Sequence, residues 1–103
     1  QVEGAKPDVL KALAEELRER MGSGVVLLGS AAGPKAFLQV VVSGDLKNRA
    51  HAGKLVGVLA RHIGGGGGGR PDIAQAGGGK PAGLSDAIAA FPAALRNLVE
   101  AAQ

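Results

Sequence analysis

The sequence predicts an α/β fold: a small mixed sheet of about three or more strands packed with helices, with a glycine-rich loop between a helix and a strand. Three observations carry that class. Leu10, Leu13, Leu17 and Met21 recur at spacings of three and four, which gives a helix one apolar face. Two short apolar runs, GVVLLG at 24–29 and AFLQVVV at 36–42, have the length and composition of strands. Six consecutive glycines, Gly64 to Gly69, then separate a second helical pattern from an extended segment.

The elements follow in order. Pro7 and Asp8 open the first helix, where proline costs nothing and an acid meets the positive end of the dipole, and Gly22 closes it. The two apolar runs form a hairpin whose loop, residues 30–35, contains Gly33 and Pro34. Ser43-Gly44-Asp45 turns the chain into a second helix from about Leu46 to His62. Ala52, Leu55, Val56, Leu59 and Ile63 share one face of it, and Lys47, His51, Lys54 and Arg61 another. Residues 71–76 read as a third strand, ended by Gly77-Gly78-Gly79-Lys80-Pro81. Leu84, Ile88, Phe91, Leu95 and Leu98 mark a last helical stretch, which Pro92 is expected to kink or divide.

A chain of 103 residues makes one domain that buries roughly 60 to 70% of its unfolded surface. Phe37 and Phe91 are its only aromatic residues, so aliphatic side chains must build most of the core. The absence of cysteine removes disulfides and thiolate metal sites. No stretch approaches the roughly 18 apolar residues that span a bilayer, so a cytoplasmic chain with no membrane partner is expected. The first residue is Gln1, which points to a piece of a larger protein.

Charge is distributed unevenly. Residues 47–80 carry Lys47, Arg49, Lys54, Arg61, Arg70 and Lys80 against Asp72 alone, an excess that surrounds the glycines and favours a polyanion. The glycines admit a flexible-linker reading, but the Arg70-Pro71-Asp72 exit and the segment beyond it are too specific for a tether. They are not a dinucleotide fingerprint, because a helix precedes the run and an extended segment follows it. Nor are they a phosphate loop, which needs lysine and a hydroxyl residue where Arg70-Pro71 stand. Two histidines, His51 and His62, and no paired carboxylates near the run leave little for a metal centre or nucleophilic catalysis. The loop glycines are therefore expected to serve positive φ or close backbone approach, and Gly66→Val or Gly68→Val to disturb the loop.

The stretch 46–78, LKNRAHAGKLVGVLARHIGGGGGGRPDIAQAGG, resembles the DHH-associated domain in the form found at the C-terminus of alanyl-tRNA synthetases. The resemblance rests on Ala52-Gly53-Lys54 in the helix, the six glycines, Arg70-Pro71 and the Ala-Gln-Ala-Gly-Gly segment, and it covers roughly residues 22–102. It implies a globular domain over 22–103, with 1–21 a helix linking it to the rest of a parent alanine-tRNA ligase. It implies no active site and no cofactor in this piece, the parent using ATP, magnesium and zinc in other domains. The implied partners are alanine tRNA, held at the outer corner where the D and T loops meet, and the parent's catalytic and editing domains, which that grip would couple. Homodimerisation is a further implied partner.

Lys47, Lys54, Arg61, Arg70 and Lys80 would supply the charge, and Gly64, Gly65, Gly66, Gly67, Gly68 and Gly69 the close approach. Arg70 and Gln75 would either touch RNA or hold the loop. With so few aromatics, recognition should use phosphates, 2′-hydroxyls and shape in preference to base stacking. Two other readings stay open: the substrate-binding domain of a DHH-type phosphoesterase or nuclease, and a module that chiefly dimerises.

Overall fold

A computed structural model describes residues 4–101. Four strands, β1 (Val25–Ala32), β2 (Lys35–Val42), β3 (Gly65–Gly69) and β4 (Ile73–Gly78), form one sheet in the order β1-β2-β4-β3. Helix α1 (Pro7–Met21) precedes them, α2 (Ala52–Leu59) lies between β2 and β3, and α3 (Leu84–Ala101) follows. The α/β class is as the sequence predicts. All three pairings are antiparallel, so the sheet is not mixed.

The first helix and the hairpin stand where the sequence puts them. Gly33 takes φ 59 in a two-residue turn between Ala32 and Lys35, tighter than the expected loop over 30–35. The second helix is shorter than expected. Residues 46–50 are turns, α2 begins at Ala52, and Ala60–Ile63 continue it as a 3₁₀ turn. Its start is set by His51, whose Nδ1 accepts from the Lys54 amide at 3.2 Å and so caps the first turn. Upstream, Asp45 accepts from the Ser23 hydroxyl at 2.6 Å and the Ser43 hydroxyl at 2.5 Å, which holds the turn in place of a helix. The last helix runs through Pro92 as one element, with the proline on its exposed side.

The sheet has two unequal faces, because side chains alternate along each strand. On one face Leu38, Val40, Ala74 and Ala76 meet Leu55, Val56, Leu59, Ile63 and Leu84 from α2, its 3₁₀ extension and α3, and this is the main core. On the other, α1 sets buried Leu10 and Ala14 over β1 and β2, and Val26 and Val41 pack there. Two bonds pin the start of α1: the Ser30 hydroxyl donates to the Ala5 carbonyl, and Gln75 Nε2 to the Pro7 carbonyl at 3.0 Å. Beneath α1, buried Gln39 donates to the Ala74 carbonyl at 3.0 Å while its Oε1 finds no partner among the described residues. On this face of β4, Ile73 packs against the same cluster and Gln75 meets the start of α1, while Gly77 and, in β3, Gly66 and Gly68 stay exposed.

The main departure from the sequence reading is that the glycine run is a strand. Gly64 takes φ 70 to end the 3₁₀ turn, and of the six only Gly64 and Gly69, at φ 158, have positive φ. Gly65–Gly69 then pair with β4 as the edge strand.

Candidate nucleic-acid interface

The five strand glycines divide by face. Gly65, Gly67 and Gly69 pair with Gly78, Ala76 and Ala74 and lie toward α2. A Cβ on Gly67 would come within 2.5 Å of the Ala76 Cβ, and one on Gly69 within 2.8 Å of the Ile73 carbonyl oxygen. These positions must stay bare for the sheet to close. Helix α2 crosses them with glycines of its own: a Cβ on Gly53 would stand 2.5 Å from the Gly69 oxygen, and one on Gly57 3.6 Å from the Gly67 oxygen. The helix thus lies against the backbone of Gly67 and Gly69, although Gly66–Gly69 remain exposed.

Gly66 and Gly68 differ. They pair with Gly77 and Gln75, face the side that α1 leaves open, have φ outside the positive region, and a Cβ on either would meet nothing within 4 Å. The expectation that valine at 66 or 68 disturbs the local structure is therefore corrected, because the fold has room for it. Glycine inside a strand costs roughly 0.5 to 1 kcal/mol relative to alanine, and nothing in the fold offsets that cost at these two places.

The cations gather at the two ends of this strand. At one end the turn Arg70–Ile73 is closed by the Arg70 amide donating to the Ile73 carbonyl at 3.0 Å. It is anchored from outside by the Ala52 amide on the Pro71 carbonyl and the Val42 amide on the Asp72 carbonyl. Lys47, Arg49, His51 and Lys54 line one cleft with Pro71, so Lys47 and Lys54 do come together, though Lys47 precedes the helix and His51 caps it. At the other end, the Lys80 amide donates to the Ile63 carbonyl at 2.9 Å and the Lys80 side chain borders Gly64, while Arg61 is exposed in the 3₁₀ turn just before it. Four strand rises from Gly65 to Gly69 separate the two ends by about 13 Å.

Among the described residues the Arg70 guanidinium holds no carbonyl. It stands 3.9 Å from Asp72, with 77% of the side chain exposed. Gln75 is tied to Pro7, not to the glycine strand. Sequence reasoning did not single out Lys11, which lines one groove together with Arg70 and Gly68, nor Phe37 as a surface group. Phe37 is half-buried beside Gly77, whereas Phe91 packs against the main core. Among the described residues no group of three or more His, Cys, Asp or Glu is placed to hold a metal, and no helix is long and apolar enough to cross a membrane.

A basic strand of bare backbone, roofed by a glycine-bearing helix, is matched at the level of the whole chain: the family model described as the DHHA1 domain covers residues 1–100. The chain belongs to the DHHA1 domain family. This DHHA1 domain is 53% identical over 87 residues to the alanine–tRNA ligase of Desulforamulus reducens, covering 82% of this chain and 10% of the ligase. It is 49% identical over 90 residues to that of Exiguobacterium sibiricum, covering 86% and 10%. The chain therefore spans about a tenth of the length of these curated relatives. Among solved structures, the C-Ala domain of the Aquifex aeolicus alanyl-tRNA synthetase matches with a TM-score of 0.84 and 32% identity, over 90% of this chain and 84% of that one. That match supports the four-stranded α/β architecture of the DHHA1 domain described here.

Proposed function

We propose that this DHHA1 domain is the C-terminal tRNA-binding part of an alanine–tRNA ligase. It holds tRNA at the outer corner formed by the D and T loops, and so keeps one tRNA within reach of the enzyme's aminoacylation and editing centres. The observation that carries the reading is the glycine strand with cations at both ends, Arg70, Lys47 and Lys54 at one and Arg61 and Lys80 at the other. Cations spaced along a bare backbone suit a sugar-phosphate chain, whose charge dominates affinity for most nucleic-acid binders. Chemistry with ATP, magnesium and zinc falls to other parts of the enzyme, in the cytoplasm. Exposed Val9, Leu17 and Met21 on α1 favour a second, compatible role in pairing with a neighbouring helix, either of the same enzyme or of a second copy.

Titration of this chain with alanine tRNA, and with an acceptor-stem minihelix lacking the corner, at several salt concentrations tests the reading. Binding to the full tRNA alone supports the corner grip. Replacing Lys47, Lys54 and Arg61 by alanine is expected to flatten the salt dependence by about one unit of slope for each phosphate no longer neutralised. Equal binding to both RNAs, or a slope that does not change, refutes it.

A further inference from the structure

We propose that the glycine surface left exposed beside α1 receives the flat face of a nucleobase, with the neighbouring phosphate held between Lys11 and Arg70. The inference rests on the nucleic-acid reading above and adds a second contact surface, on the opposite face of the sheet from α2.

Three grooves adjoin on this face. The first lies between the start of α1 and β4, walled by Pro7, Leu10, Phe37 and Gln75 and floored by Gly66 and Gly77. The second continues it along Gly68 to Lys11 and Arg70. The third leads from Phe37 and Gly77 to Lys35. Among the described residues no acid lines any of them, and a cation stands at each end. The nearest counter-charge to Arg70 is Asp72, 3.9 Å away and in an exposed pair that salt readily screens.

The floor is flat because Gly66, Gly68 and Gly77 carry no side chain and the polar groups of paired strands point along the sheet, not out of it. The Phe37 ring borders Gly77, its nearest atoms 3.4 and 3.5 Å from where a Cβ would be. A planar apolar floor beside an aromatic edge, an amide at Gln75 and cations beyond fits a base with its phosphate. An acidic peptide would match the cations but not the floor, and an apolar helix the floor but not the cations.

The test uses this 103-residue chain with alanine tRNA and compares Gly66→Val, Gly68→Val, Phe37→Leu and Lys11→Ala by affinity, salt slope and thermal melting. The valine variants are expected to melt no lower than the parent, because the fold leaves them space. They should nonetheless weaken binding about tenfold or more, as expected when one stacked base is displaced, at an unchanged salt slope. Phe37→Leu should weaken binding in the same way, and Lys11→Ala should reduce the slope by about one. Should a valine variant melt early, Gly66→Ala and Gly68→Ala with the same readouts decide instead. Full affinity in folded glycine variants overturns this inference and leaves the corner grip standing. A parent chain that does not bind tRNA overturns both.

Discussion

Two glycines of one helix should respond in opposite directions to the same substitution. Glycine in a helix interior costs about 1 kcal/mol relative to alanine, so alanine is favoured wherever it fits. At Gly57, inside α2, the added Cβ would lie 3.6 Å from the Gly67 oxygen, an ordinary van der Waals separation. Gly57→Ala is therefore expected to stabilise the domain by roughly 0.5 to 1 kcal/mol. At Gly53, in the first turn, the Cβ would lie 2.5 Å from the Gly69 oxygen and 3.1 Å from the Gly69 nitrogen, both backbone atoms of the glycine strand. Either α2 or β3 must move, and overpacking of that kind costs about 1 to 3 kcal/mol. The propensity gain is smaller at a helix end, so Gly53→Ala should destabilise by about 1 to 2 kcal/mol net, which lowers Tm by roughly 4 °C or more in a domain of this size. Urea and thermal unfolding followed by far-UV circular dichroism measure both. A Gly53→Ala domain as stable as Gly57→Ala would refute the claim that α2 is seated on the strand backbone.

Other perturbations test the remaining parts of the fold. Leu38, buried in the main core, should cost about 2 to 5 kcal/mol when cut to alanine, read from the urea midpoint at unchanged slope. Hydrogen bonds from Ser23, and then from Ser43, hold the Asp45 carboxyl below its ordinary value of 3.8. Its folded pKa is the lower one, so its contribution is complete above 3.8 and is lost as the pH falls through the lowered value. Asp45→Asn should accordingly flatten the acid end of the stability profile, and a profile identical to the parent's would show that the Asp45 turn does not stabilise the fold.

Legibility in the sequence followed the side chains. The first helix and the hairpin were readable because Leu10, Leu13 and Leu17, and the run from Ala36 to Val42, carry periodicity and β-branching. The glycine strand was not, because strand signals reside in side chains and glycine has none. Its extended state comes from the β4 ladder and the α2 roof, which lie outside the run itself. The start of α2 is not legible because histidine is an uncommon cap and the Ser23–Asp45 hydrogen bond joins segments far apart. Of the candidate site, the cations around the run were legible as a charge excess. Lys11 and Phe37 were not, because they reach the groove only through the way α1 lies across β1 and β2.

The strand order has a kinetic meaning. The β1-β2 and β3-β4 hairpins are both local, but β4 must pair with β2 after α2 and β3 have been looped out between them. Closing that loop before any long-range pairing rewards it is the slow kind of step in folding. The glycine strand, with no apolar side chains to drive collapse, settles late and its amides should be among the first to open to exchange. The surface assigned to RNA is thus the part of the sheet that forms late and loosens early.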